Sequence, residues 1–441
     1  MNTARTKLNL LESRRVTPMI LAGAISLISW MFAPVASTGA EAIRNGSRTG
    51  GEVHATLAAS VSTIAREERA LSEYRAELAK FRAEYGGARK MPAVSFFQFG
   101  MGLRTKYLFK DGKLLEARDG KVFRNWDATG CVIVPCDYMV SFIKTDGGKA
   151  RIFEDQAGVW IEENGQKSPV PGTTTPVKLP DFAGHPYSSI LRVLHHEILM
   201  NVALAGPVPN IFVYKKPWYR DGALMAMCLK ETGNLDQIRD WILGLNEVFD
   251  RNNAGETEAD NPGQAMFLIS LVSDRKHPLV PALLEALKKF EVRDQHGLYI
   301  RGRSDFSERP VYQTKWAKFG LRSLGFPDPY IIPPISDSYS SLFWMDYRDK
   351  HVEGGEAIDR NMYPYLGWAT DHFQGKKLSP ISDRDYPLTW EIQASQAAYA
   401  GMAVIDPIFE HERISVPHTW HAAEIFLYLL DGSAKSIRDA K

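Results

Sequence analysis

Cysteine is scarce: the 441-residue chain has three. So small and odd a set excludes a disulfide framework as what holds the fold together. Cys131 and Cys136 flank Val-Ile-Val-Pro and are spaced for a local pairing, whereas Cys228 reads as a buried thiol. A surplus of charge is also missing, since 53 Lys and Arg face 52 Asp and Glu for a net charge of +1. That balance argues against a nucleic-acid partner, which calls for a basic excess. Metal-ligand spacing is absent as well. His195-His196-Glu197 is not an H-E-x-x-H motif, and no Cys-based zinc pattern occurs. Nor is there a G-x-S-x-G elbow, a phosphate loop or a dinucleotide fingerprint. No cofactor and no metal are implied.

What the chain does have is length for two or three domains and a large core. It also has abundant aromatics: 10 Trp, 17 Tyr and 21 Phe. These pack cores, and they also suit stacking against sugar rings. Residues 1–42 stand apart. Arg5, Lys7, Arg14 and Arg15 precede the apolar run PMILAGAISLISWMFAPVA, and Ala40-Glu41-Ala42 offers a cleavage site. This is the pattern of an export signal. The expectation is an exported chain, periplasmic or secreted, with membrane contact only if the segment stays uncleaved as an anchor.

Three further regions follow. Across residues 43–90, Leu57, Val61, Ile64, Leu71, Tyr74, Leu78, Phe81 and Tyr85 recur at helical spacing and predict one amphipathic helix. Across residues 91–180, short β-type runs are joined by Asp111-Gly112, Asp119-Gly120 and Asp146-Gly147, which favour tight hairpins and predict a small antiparallel β unit. Across residues 181–441 the pattern becomes helical, with the segments in pairs. The leading member of the first three pairs carries charge on one side, while the second is apolar nearly all round and belongs inside. Five such pairs predict a mainly α fold, an (α/α)5–6 toroid, behind the β unit and the N-terminal helix.

In such a ring the inner helices start at one end, where their free N–H groups gather. Unusual polar residues cluster at those starts. Trp218, Tyr219, Arg220 and Asp221 precede the first inner helix, and Glu256, Glu258, Asp260, Asn261 and Gln264 the second. Tyr312, Gln313, Lys315 and Trp316 open the third, behind RGRSDFSERP; Glu356 and Asp359 precede the fourth; His418, Trp420, His421 and Glu424 open the last. An acid at a helix start is most often a cap, and His421 with Glu424 could be a satisfied core pair. Carboxylates beside Trp and Tyr at several buried-helix mouths are, however, the equipment of a carbohydrate cleft.

The paired helices, PWYRDG, ETEADNPGQAMFLIS and PHTWHAAEIFLYLL resemble the six-hairpin glycosidase superfamily of glucoamylase type, over roughly residues 187–431. That resemblance implies hydrolysis of a glycosidic bond in an oligo- or polysaccharide, most often with inversion, by two carboxyls ~6.5–9.5 Å apart. Carried onto this chain, it makes Glu258 the first choice for the acid and Asp260 the second, with Asp221 or Glu424 as the base. Trp218, Tyr219, Arg220, Asn261, Gln264, Tyr312, Lys315, Trp316, His418, Trp420 and His421 would contact sugar. Two rivals use the same residues. A polysaccharide lyase or uronate epimerase would take its base and carboxylate-neutralising group from Tyr219, Arg220, Lys315, Tyr312, His418 and His421. A non-catalytic carbohydrate-binding envelope protein would need only the aromatics.

Overall fold

A computed structural model describes residues 50–439, except 87, 215, 252–254, 306, 344–380 and 395–396. The export-type segment at 1–42, the fourth inner helix and its Glu356 and Asp359 lie outside the described residues. The chain divides into two compact units, Met1–Ala58 and Ala59–Lys441. Every candidate site residue belongs to the second.

Helix α1 (Gly50–Tyr85) carries Leu71, Tyr74, Leu78 and Phe81 on its buried face. Polar side chains fix its register. The Tyr74 hydroxyl donates to the Asp385 carbonyl at 2.5 Å, and Arg82 donates to the carbonyls of Ser382 and Arg384 at 2.6 and 2.8 Å. After it come two antiparallel sheets. One has four strands in sequential order, β1 (Phe97–Phe99), β2 (Tyr107–Lys110), β3 (Lys113–Glu116) and β4 (Val122–Asn125). The other has five, also sequential: β5 (Ala128–Val134), β6 (Met139–Lys144), β7 (Lys149–Glu154), β8 (Val159–Glu163) and β9 (Gln166–Pro169). Asp111 and Gly112, with φ of 49° and 72°, turn β2 into β3 where Lys110 faces Lys113. That is the left-handed geometry a two-residue hairpin requires.

The helical region begins with α2 (Ser188–Met200) and continues with α3 (Tyr219–Glu231), α4 (Asp236–Leu243), α5 (Asn261–Ser270), α6 (Val280–Lys288), α7 (Pro310–Ser323), α8 (Pro407–His411) and α9 (Thr419–Asp439). Helices α2, α9, α3, α5 and α7 pack side by side in that order. Between them run four two-stranded ribbons: β10–β11 (Val202–Ala203, Gly206–Pro207), β12–β13 (Glu291–Asp294, Gly297–Ile300), β14–β15 (Arg303–Ser304, Ser307–Glu308) and β16–β17 (Glu391–Ile392, Ile414–Ser415). The His195-His196-Glu197 run is wholly buried on α2. Glu197 accepts from the Leu388 and Thr389 amides at 2.5 and 3.1 Å and from the Thr389 hydroxyl at 2.5 Å, a structural anchor for that segment.

The expected mainly α toroid, and with it the likeness to six-hairpin glycosidases, is overturned. The described residues form an α+β fold with six antiparallel sheets. The reason is local. The segment TWEIQASQAAYAGMAVI, read as a leading helix, instead pairs Glu391–Ile392 with Ile414–Ser415, turns through Gln393 at φ 52°, and among its described residues is helical only as a 3-10 turn at Tyr399–Val404. Glu197 holds its first amide, that of Thr389, and the Leu388 amide just before it, which fixes an extended start. Ahead of α7, two ribbons intervene where a continuous hairpin of helices was expected. Apolar residues on every side of α3 and α5 signal burial, and burial does not require a ring. The three cysteines are free thiols; Cys131 is exposed on β5, and Cys136 and Cys228 are buried. Among the described residues, no helix is long and apolar enough to cross a membrane.

Candidate functional site

Helix α3 opens with Trp218 extended at its N-cap and no side-chain cap of its own. Asp250 caps it from a distance, its Oδ2 accepting the Tyr219 amide at 2.6 Å, while the Tyr219 hydroxyl donates to the Glu247 carbonyl at 2.5 Å. Tyr219 is thus committed to the framework. The next two residues are both buried, and each belongs to a different cluster.

Arg220 gathers three carboxylates. Its Nη2 lies 2.6 Å from Glu258 Oε2 and 3.3 Å from Asp260 Oδ2, and its Nη1 lies 2.7 Å from Asp305 Oδ2. Nη1 also donates to the Tyr339 hydroxyl at 3.0 Å, and Tyr339 in turn donates to Asp305. Rings surround the guanidinium: Tyr312, Tyr339 and Trp420 have centroids 6.0, 5.6 and 5.3 Å from it. Asp260 heads α5 but makes no capping bond. Its Oδ2 accepts from Gln264 at 2.8 Å and its Oδ1 from Ser304. Asn261 supports this arrangement by donating to Gln264 at 3.2 Å. Burial first, then Asp260 and Asp305, push Glu258 up to about 8 against the pull of Arg220. Three carboxylates thus share the Arg220 guanidinium, and burial with their mutual repulsion favours the protonated form of Glu258.

Asp221 faces the second cluster. Burial first, then Glu391 and Asp250, raise it to about 7, while His418 and Arg220 pull it down. Its Oδ1 is buried with no hydrogen-bond partner among the described residues. His418 Nε2 lies 3.1 Å from Glu391 Oε2, close enough to pair in charge. Burial pulls His418 down, yet Glu391 and then Asp221 hold it above its ordinary value. His421, one turn on and 4.2 Å away ring to ring, is driven far below its ordinary value by burial and by His418. It is therefore neutral, with Nδ1–H donating to the Trp390 carbonyl. The Tyr214 hydroxyl donates to Glu391, and Trp218 packs edge-on against Tyr214 at 5.2 Å, its indole N–H buried without a partner among the described residues.

The residues singled out from the sequence therefore divide. Arg220, Glu258, Asp260, Gln264, Asn261, Tyr312 and Trp420 meet in the first cluster. Asp221, His418, His421 and Trp218 meet in the second. Trp316 is core, edge-on to Phe343 at 5.1 Å, and Lys315 is buried on the same helix. Glu424 is fully buried behind Trp420, whose indole N–H donates to it at 3.3 Å. Three members escaped the sequence reading. Asp305 lies in the RGRSDFSERP stretch but is not singled out there; Tyr339 and Glu391 had no local signal. Among the described residues, no group of three or more His, Cys, Asp or Glu is placed to hold a metal ion. Comparison of the chain with protein-family models, curated proteins and solved structures finds no match.

Proposed function

We propose that this site hydrolyses a glycosidic bond in an oligo- or polysaccharide, the carboxylates around Arg220 supplying the proton and Asp221 drawing one from the attacking water. The observation that carries the reading is that consecutive residues of α3 serve two sets of buried carboxyls, both held near neutrality, at about 8 for Glu258 and about 7 for Asp221. A general acid must keep its proton at working pH, which an ordinary carboxyl does not, and buried carboxyls pushed toward neutrality are suited to proton transfer. Trp218, half-buried, adds aromatic surface of the kind that stacks on sugars, while Tyr312, Tyr339 and Trp420 are buried around Arg220. The basic-then-apolar pattern of residues 1–42 supports action outside the cytoplasm.

The lyase or epimerase alternative draws less support. Arg220 is already shared by three carboxylates, which leaves it poorly suited to neutralise a uronate. The phenols of Tyr312 and Tyr339 are pushed far above their ordinary value by burial, so a tyrosinate base would be costly.

The test incubates the full chain with a panel of neutral and uronic-acid polysaccharides, following new reducing ends and the ultraviolet absorbance of an unsaturated sugar together. Glu258→Gln and Asp221→Asn are each expected to slow the appearance of reducing ends by ~10²-fold or more. Absorbance that survives both changes would move the assignment to a histidine-based lyase. Saturable binding with no product would make this a carbohydrate-binding protein.

A further inference from the structure

We propose that Asp305 is the residue that hands the proton to the leaving oxygen, a role that rests on the glycosidic reading above. The three carboxylates around Arg220 differ in access. The side chains of Glu258 and Asp260 are 6% and 0% exposed, whereas that of Asp305 is 27% exposed. They differ also in free valence. Glu258 has both oxygens engaged, Oε2 by Arg220 and Oε1 by the Asp305 amide at 2.9 Å. Asp260 has both engaged as well, by Ser304, Gln264 and Arg220. Every described contact of Asp305, from Arg220 and from Tyr339, falls on Oδ2. Its Oδ1 receives no hydrogen bond among the described residues, so it is the oxygen of the cluster open to a substrate.

The chain places this carboxyl with little freedom. Asp305 sits in the two-residue turn between β14 and β15, where Ser304 pairs with Ser307, and its φ is 44°. Asp and Asn tolerate that left-handed geometry far better than most residues. The Asp305 amide tied to Glu258 joins the exposed carboxyl to the buried one, and both share the Arg220 guanidinium. Tyr339, bonded to both Arg220 and Asp305, is the positioning residue.

The step balances simply. A proton of the Arg220 cluster passes through Asp305 Oδ1 to the glycosidic oxygen as that oxygen's bond to the anomeric carbon breaks. Water adds its oxygen to the anomeric carbon and gives a proton to Asp221. Asp221 then releases that proton to solvent, and the Arg220 cluster regains one from solvent.

The experiment compares two leaving groups in the full chain. The first substrate is the polysaccharide that the wild-type chain cleaves. The second is the 2,4-dinitrophenyl glycoside of the oligosaccharide it releases, whose leaving group departs without protonation. Asp305→Asn, which suits the turn, should lose ~10²-fold or more on the polysaccharide and less than ~10-fold on the aryl glycoside, and should flatten the alkaline limb of the pH profile. Asp305→Glu should recover part of the loss. Equal losses on both substrates, or a leaving-group dependence that follows Glu258→Gln while Asp305→Asn stays active, would overturn the assignment and leave the glycosidic reading intact. A wild-type chain that cleaves no glycan would remove that reading, and this one with it. Thermal unfolding of the Asn and Glu variants separates loss of chemistry from loss of fold.

Discussion

Arg220 Nη2 lies 2.6 Å from Glu258 Oε2, with the two side chains only 3% and 6% exposed. Two more carboxylates lean on the same guanidinium, so its removal would leave acids facing one another out of water. Arg220→Met is expected to lower stability by ~3–5 kcal/mol at neutral pH, the usual scale for breaking a buried ion pair by deleting one partner. The deficit should shrink on acidification, because the orphaned carboxylates then protonate. Arg220→Lys should recover little, since an ammonium cannot reach three acids with the fork geometry of a guanidinium. Urea unfolding between pH 4 and 8 reads all three; a Met variant as stable as wild type at neutral pH would mean that the cluster is not as buried as described.

Asp221 makes a prediction of the opposite sign. Its native value of about 7 stands above the ordinary 3.8, so the folded chain holds this proton more tightly than the unfolded one. Stability contributed by that proton is full below pH ~4 and is lost as pH rises through the native value. Asp221→Asn removes the titration while keeping the shape. The variant should match wild type at pH ~4 and exceed it above pH ~7 by on the order of 1–3 kcal/mol. A variant less stable than wild type at pH 8 would show that the Asp221 carboxylate is stabilised by contacts stronger than its burial penalty. Since the same change should abolish glycan cleavage, gain of stability with loss of activity is the joint signature.

How much of this was legible in the sequence depends on distance along the chain. Arg220 and Asp221 stand out because they interrupt a helix otherwise fit for burial, and a buried charge demands partners. Glu258 and Asp260 stand out for the same reason at the start of α5. What the sequence cannot give is who meets whom. Asp305 is 85 positions from Arg220 and Tyr339 is 119, and packing of α3 against α5 and the ribbons decides both contacts. Glu391 was hidden inside a segment whose small and apolar residues mimic helical spacing. There tertiary bonds from Glu197 to Leu388 and Thr389 override the local preference. The toroid reading failed through a related gap: periodicity reports which faces are buried, not how many helices line up or whether strands come between them.

The site also depends on how closely α5 and α7 approach. A Cβ at Gly263 would fall 2.4 Å from the Trp316 carbonyl carbon and oxygen, and one at Gly320 would fall 2.3 Å from the Gly263 oxygen. These are backbone atoms, so relief requires the helices to separate. Gly263 lies between Asp260 and Gln264 on one side of the contact, and Tyr312 stands on the other helix. Separation would therefore pull the Arg220 cluster apart as well as open the core. Gly263→Ala and Gly320→Ala are each expected to lower stability by ~1–3 kcal/mol despite the better helix propensity of Ala. Because either change forces the same separation, the double variant should cost less than the sum of the two. Gly130→Ala, where an added Cβ meets nothing within 4 Å, is the control and should be near neutral. Thermal melts of wild type and these four variants decide it: full additivity would mean two independent local clashes, whereas a shared cost places one rigid helix–helix contact beneath the carboxylate cluster.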